Sequence, residues 1–153
     1  MLKDNYLNME EIAKNKSLAR DETEDTLEVT VGTTPFEDLD AEVKLALKCA
    51  SEKKAVDIIG LDLRDITSFA EFFLIASGTN KRQVQAIADE ISQKLRKDLK
   101  TKPNRIEGYQ GAEWVLLDYG DFIFHIFNKK SRTFYDLERL WRDAKRVKLP
   151  KDM

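Results

Sequence analysis

The stretch WVLLDYGDFIFHIF, residues 114–127, decides the fold because two strongly apolar runs flank a two-residue turn. A loop of Gly120 and Asp121, with glycine first, is typical of a tight β-hairpin. The stretch therefore predicts two antiparallel strands, Trp114–Tyr119 and Phe122–Phe127, in a fixed register.

The two faces of this hairpin differ in character, because side chains alternate along a strand and directly paired residues share a face. One face is almost wholly apolar and is predicted to be core: Val115, Leu117, Tyr119, Phe122, Phe124 and Ile126. The other mixes aromatic residues with an acid and the only histidine: Trp114, Leu116, Asp118, Ile123, His125 and Phe127. Two interpretations of the second face stay open. Either a helix covers it and its polar groups are satisfied by packing, or it is partly an exposed docking surface anchored by Trp114.

Helices and further strands surround the hairpin on both sides in sequence. One helix is predicted after a cap at Thr34, with Pro35 at its first position, and a second after a cap at Asn80. A third is predicted after a cap at Ser131, with apolar residues at helical spacing from Phe134 to Ala144. Three further β-like runs are Val56–Leu63, Phe72–Ala76 and Arg105–Tyr109. The order αββαβββα predicts an α/β fold, a mixed five-stranded sheet flanked by helices.

The distribution of charge predicts three segments. Residues 1–33 are polar and acidic and are expected to be a disordered leader, although Leu27, Val29 and Val31 alternate as a short strand would. Residues 34–147 are expected to form the domain and 148–153 a basic tail. With no signal pattern and no apolar run long enough for a membrane span, the sequence predicts a cytoplasmic protein.

Catalytic constellations are absent from the sequence, which predicts no enzyme, no cofactor and no metal. One histidine and one cysteine, Cys49, leave little scope for a nucleophile pair or a thiolate zinc cluster. Asp62 and Asp65 are three residues apart, whereas a metal-binding pair on a strand needs a spacing of two. Gly78-Thr79 before a helix is either a tight turn or a phosphate cradle, and the cradle would imply a small nucleotide-binding or nucleotidyltransferase-like enzyme.

The C-terminal segment is basic, with one acid, Asp143, among its cations: Arg139, Arg142, Lys145, Arg146, Lys148 and Lys151. Cations at a helix end suit the helix dipole, and the same charges would suit RNA phosphates.

Six motifs, in this order and spacing, resemble the ribosomal silencing factor family, also called Iojap-like. They are FFLIASGT (72–79), IADE (87–90), EGY (107–109), WVLLDYGD (114–121), His125 and FYDLERLW (134–141), and the resemblance runs from about residue 37 to 145. It implies a fold like that of nucleotidyltransferases without their catalytic residues.

The resemblance also implies a partner and a role. The expected partner is the large ribosomal subunit, chiefly its fourteenth protein at the intersubunit face. Binding there would block association with the small subunit and repress translation when nutrients are scarce. A peripheral contact between ribosomal RNA and the basic C-terminal helix, and a homodimer of the free protein, complete the expected partners. From the hairpin face and the family motifs, the predicted partner-binding residues are Glu107, Tyr109, Trp114, Leu116, Asp118, Asp121, His125 and Tyr135.

Overall fold

The structure, a computed structural model, describes residues 32–153 and places them around one mixed sheet. Its strands are β1 (Thr33–Pro35), β2 (Val56–Asp62), β3 (Phe72–Gly78), β4 (Arg105–Glu107), β5 (Trp114–Asp118), β6 (Phe122–Asn128) and β7 (Lys145–Lys148). The α-helices are α1 (Ala41–Glu52), α2 (Lys81–Leu99), α3 (Lys129–Tyr135) and α4 (Leu137–Leu140), with a 3₁₀ turn at Phe36–Asp38. Among these helices, none has the length and apolar character that crossing a membrane requires.

The order of strands across the sheet is β1-β7-β2-β3-β6-β5-β4. The pairs β3–β6 and β1–β7 are parallel, and the other neighbouring strands are antiparallel. The predicted mixed sheet flanked by helices is therefore confirmed. The predicted number of five strands is wrong, because β1 and β7 add two strands at one edge.

The two missed strands occupy segments for which helices or helix caps were predicted. Thr34 is not the cap of a helix but lies in β1, where its hydroxyl donates a 2.6 Å hydrogen bond to the Asp62 carboxylate. Pro35 is tolerated there because β1 is an edge strand. Helix α1 starts only at Ala41, after Asp40.

The predicted third helix is also wrong in its start and its length. Asn128, not Ser131, caps α3, since its side chain accepts a 2.8 Å hydrogen bond from the Ser131 N–H. Asp136 then adopts a left-handed conformation (φ 48°, ψ 54°), which ends α3. The short α4 follows, and Lys145–Lys148 form β7, so the basic C-terminal segment is not a continuous helix.

Both predicted segment boundaries fall within strands. The boundary between residues 33 and 34 lies inside β1, and the predicted tail begins with the last residue of β7. The alternation at Leu27, Val29 and Val31 lies outside the described residues, so the assignment of a leader stays a prediction.

The hairpin register is confirmed. Val115 pairs with Ile126, Leu117 pairs with Phe124, and the Tyr119 N–H donates a 2.9 Å hydrogen bond to the Phe122 carbonyl. The predicted core face contributes Val115, Leu117, Phe122, Phe124 and Ile126 to a buried cluster that includes residues of α1 and α2, and Tyr119 packs against it.

Candidate partner-binding site

The second hairpin face is buried rather than exposed. Trp114, Leu116 and His125 are respectively 3%, 2% and 0% exposed. Trp114 and Leu116 belong to a second apolar cluster, which includes Leu137 and Leu140 of α4 and Trp141 just after it. His125 packs against the Phe73 and Phe127 rings of the same cluster. The interpretation that a helical segment covers this face is therefore correct for these residues. The expectation of a partly exposed Trp114 is wrong.

Trp114 and His125 form a buried polar pair within this cluster. The Trp114 indole Nε1–H donates a 3.0 Å hydrogen bond to His125 Nδ1. Because Nδ1 accepts, the neutral ring carries its proton on Nε2. Within residues 32–153, Nε2 has no hydrogen-bond partner, and the Phe73 ring lies with its centroid 4.6 Å from that of the imidazole. Complete burial lowers the pKa of His125 to about 3.

This buried imidazole predicts that the protein loses stability in mild acid. The pKa of His125 is about 3 in the folded chain and about 6.5 when unfolded, so below pH 6.5 the unfolded chain binds a proton that the folded chain does not. The free energy of unfolding should fall by about 1.4 kcal/mol per pH unit below 6.5, or about 2 kcal/mol by pH 5. Urea unfolding at pH 7.5, 6.5 and 5.0 measures this loss.

His125→Asn is the matched control, because an asparagine carbonyl can accept from Trp114 and does not titrate. The chain has one histidine, so no other imidazole contributes in this window. An equal loss between pH 6.5 and 5.0 in the wild type and in His125→Asn would contradict the assignment.

Asp118 ends β5 just before the hairpin turn, and Asp121 is the second residue of that turn. The Asp118 carboxylate accepts a 2.8 Å hydrogen bond from the Gly120 N–H and lies 3.2 Å from Arg105 Nε in an ion pair. Asp121 is exposed, and its carbonyl accepts a 2.7 Å hydrogen bond from the Glu71 N–H. Both residues therefore stabilise the turn that joins β5 to β6.

Glu107 and Tyr109 lie at the other end of β5, because Glu107 of edge strand β4 pairs with Leu116. The Tyr109 hydroxyl donates a 3.0 Å hydrogen bond to the Asp89 carboxylate on α2, which raises the pKa of Tyr109. The Glu107 carboxylate is different: its buried Oε1 has no hydrogen-bond partner among the described residues. A buried acceptor in this state is costly to the folded protein.

Phe134 is the most exposed large apolar side chain among the described residues, and it is not one of the predicted partner-binding residues. Its side chain is 79% exposed on α3. The Tyr135 ring lies edge-on to it at 5.0 Å between centroids, and Tyr135 in turn packs 4.4 Å from the Trp114 ring. Adjacent residues of a helix point about 100° apart, so of two neighbouring aromatic residues one can be supported by the core while the other faces outward.

The Gly78-Thr79 turn is built for close packing. A Cβ at Gly78 would lie 2.7 Å from Val84 Cγ2 and 2.9 Å from the Val84 backbone nitrogen, so only glycine fits there. The Thr79 N–H and hydroxyl both donate to Gln83 Oε1, at 2.6 and 2.7 Å, and the predicted cap Asn80 accepts from the Gln83 N–H. With these donors already paired inside the protein, the geometry favours the tight turn over the phosphate cradle.

The two aspartates near the end of β2 have separate partners. Arg64 and Thr34 both bind the buried Asp62 carboxylate, whereas exposed Asp65 forms an ion pair with Lys145 at 3.1 Å. Burial raises the pKa of Asp62, but the hydrogen bonds from Arg64 and Thr34 outweigh it and lower the pKa overall. Within residues 32–153, no group of three or more His, Cys, Asp or Glu side chains is arranged to hold a metal ion.

Cys49 is buried in the first apolar cluster. Burial raises the pKa of its thiol to about 12, which disfavours the reactive thiolate.

These features define a mixed α/β domain with apolar clusters on both faces of its sheet and a highly exposed Phe134 ring beside the packed rings of Tyr135 and Trp114. A family model described as "ribosomal silencing factor during starvation" matches residues 36–153. The chain belongs to this family.

Individual proteins agree with the family match. A ribosomal silencing factor from Halalkalibacterium halodurans is 42% identical over 107 residues, which cover 70% of this chain and 91% of that protein. The crystal structure of a Chromobacterium violaceum protein superposes with a TM-score of 0.63 at 34% identity, covering 72% of this chain and 88% of that one. A mouse protein named for mitochondrial assembly of the ribosomal large subunit is 26% identical over 103 residues, covering 65% of this chain and 45% of that protein.

Proposed function

We propose that this protein binds the large ribosomal subunit at its intersubunit face, chiefly through the fourteenth protein of that subunit. The bound protein prevents the small subunit from joining and so represses translation when nutrients are scarce. Membership of the silencing factor family supports this role, and so does the mouse relative named for assembly of the large subunit. The proposed role places the protein in the cytoplasm.

The observation that carries the proposal is the exposed ring of Phe134. A large aromatic side chain that is 79% exposed is unfavourable in water and typical of an interface anchor. Tyr135 and Trp114 pack behind it and hold it in place. Exposed Lys129 and Lys130 on the same helix supply the polar rim that surrounds such an anchor.

The predicted partner-binding residues divide between the two ends of the sheet. Trp114 begins β5 beside Phe127 near the end of β6, so Glu107, Tyr109 and Tyr135 lie at the same end as Phe134. Asp118 and Asp121 lie at the opposite end, at the hairpin turn. We place the docking surface at the Phe134 end. There Trp114 acts from within, because its ring packs 4.4 Å from that of Tyr135, and buried Leu116 and His125 lie on the same hairpin face as Trp114.

The proposed mechanism is steric and needs no covalent step. A folded unit of about 120 residues is roughly 35 Å across. A body of that size on the intersubunit face occupies space that the small subunit needs. An aromatic anchor supplies affinity, and charges around it supply orientation and speed of encounter.

Sedimentation with purified ribosomal subunits tests the proposal. The full-length protein should co-sediment with free large subunits and not with small subunits, and it should lower the yield of joined ribosomes when both are mixed. The purified fourteenth protein should bind it directly. Equal binding to both subunits, or binding to neither, would contradict the proposal. Sedimentation of the protein alone tests the predicted homodimer.

A further inference from the structure

The C-terminal end of α2 carries a groove of about 480 Å³ whose lining is basic. The lining residues are Gln93, Arg96, Lys97, Lys100 and Lys102, so four carry positive charge and none carries negative charge. The segment 93–102 contains five bases and one acid, although the net charge of the whole chain is −2. Positive charge is thus concentrated here against the overall balance of the chain.

The backbone gathers these cations by turning back at the helix end. Lys100 adopts a left-handed conformation (φ 54°, ψ 30°), and its N–H donates to the Leu95 carbonyl. The Thr101 N–H donates to the same carbonyl at 3.1 Å. This turn brings Lys100 and Lys102, which lie beyond the helix, into one groove with Arg96 and Lys97.

None of these four cations forms an ion pair with another residue in the described range 32–153. The helix dipole accounts for Arg96 and Lys97, which lie in the last turn of α2. It also favours a cation at the C-cap Lys100, but it does not account for Lys102, which lies two residues further on. Unpaired cations collected in a groove without an acid favour a ligand that carries several negative charges.

We propose that this groove binds the phosphate backbone of double-stranded RNA. A duplex presents regularly spaced phosphates, and cations bind them without reading sequence. The lining contains no aromatic ring, so the stacking by which proteins hold single-stranded bases is missing from it. The Gln93 amide adds a group that can bond to a ribose 2′-hydroxyl, the feature that distinguishes RNA from DNA.

The position of the groove fits a second contact on one large partner. Helix α2 starts after the C-terminal end of β3 and runs back, so its own C-terminal end lies at the opposite end of the sheet. Phe134 follows the C-terminal end of β6, which is parallel to β3. The groove and the Phe134 surface therefore lie at opposite ends of the domain. The inference rests on the proposed function for the source of the RNA, the large subunit.

Fluorescence anisotropy with a labelled RNA duplex of about 20 base pairs and mixed sequence tests the groove, using the full chain at 50 to 200 mM KCl. The variant Arg96→Gln/Lys97→Gln/Lys100→Gly/Lys102→Gln removes the four charges. Glycine suits the left-handed position of Lys100, so this variant keeps the turn. We expect binding at least tenfold weaker at 50 mM KCl, and a plot of log affinity against log salt that is shallower by about 3.

The matched control removes the same charge around α1, as Lys44→Gln/Lys48→Gln/Lys53→Gln/Lys54→Gly, where Lys54 also has a left-handed backbone (φ 59°). This control should bind RNA nearly as the wild type does. An equal loss in both variants would overturn the proposal, and so would a wild type that fails to bind the duplex. Preferential binding to phosphatidylserine vesicles that is lost in the groove variant would assign the groove to a membrane surface. That result would also overturn the proposal of RNA binding.

Two readouts separate this inference from the proposed function. If the wild type binds the duplex through the groove but does not co-sediment with large subunits, the proposed function is contradicted and the groove is still assigned to RNA. A wild type that co-sediments with large subunits but does not bind the duplex would end the groove assignment alone.

Discussion

Trp114→Ala is expected to lower the free energy of unfolding by about 3–5 kcal/mol, the range for truncating a buried tryptophan. The side chain is 3% exposed and packs against the rings of Phe127 and Tyr135. Its removal leaves a cavity and also takes away the hydrogen-bond donor to His125 Nδ1. Chemical denaturation monitored by far-UV circular dichroism measures the loss.

Trp114→Phe is the control that separates packing from the hydrogen bond. Phenylalanine keeps most of the ring volume but has no N–H, so it should cost clearly less than alanine. If Trp114→Ala unfolds like the wild type yet fails to bind ribosomal subunits, the indole is an interface residue after all and the burial assigned to it is wrong.

Phe134→Ala should weaken binding to the ribosomal subunit and leave stability nearly unchanged, in contrast to Trp114→Ala. We expect it to weaken binding to the large ribosomal subunit by about 2 kcal/mol or more, roughly thirtyfold, as truncation of an aromatic interface anchor does. Stability should change by less than about 0.5 kcal/mol, because an exposed side chain leaves no cavity. Titration of large subunits with labelled protein, together with an unfolding curve, gives both quantities.

Ile66→Ala provides the matched control for Phe134. Ile66 is also an exposed apolar residue, 38% exposed, but it lies between β2 and β3 at the other end of the sheet. It should leave subunit binding unchanged. A Phe134→Ala protein that binds as tightly as the wild type would remove Phe134 from the docking surface and, with it, the main structural support for where the partner sits.

Local sequence predicts the hairpin and the start of α2 because their causes are local. A two-residue turn fixes the register of the strands it joins, and the Asn80 side chain caps the helix that begins at the next residue. Strands β1 and β7 have no local turn or capping residue that predicts them. They are three and four residues long and mostly polar, and they become strands through pairing with residues distant in sequence.

The site was harder to predict than the fold for a related reason. Alternation correctly divided the hairpin into two faces, but it carries no information about which other segment covers a face. The left-handed backbone at Asp136 ends α3, and the residues after it cover Trp114 while Phe134 stays outside. Aspartate adopts that conformation only occasionally, and no local sequence feature marks it at Asp136, so the spacing of apolar residues from 134 to 144 predicts one continuous helix.

The pairing of β1 with β7 bears on how the chain is completed during synthesis. Thr33–Pro35 is the first described strand and Lys145–Lys148 the last, and each lies directly beside the other in parallel. The ribosome releases a chain from its N-terminus, so β2 through β6 can assemble while β1 still lacks its neighbouring strand. Closing this edge means bringing together segments separated by nearly the whole domain, which is the slow kind of contact in folding. Until β7 emerges, the growing chain exposes an unpaired edge at β2, to which another nascent strand could add.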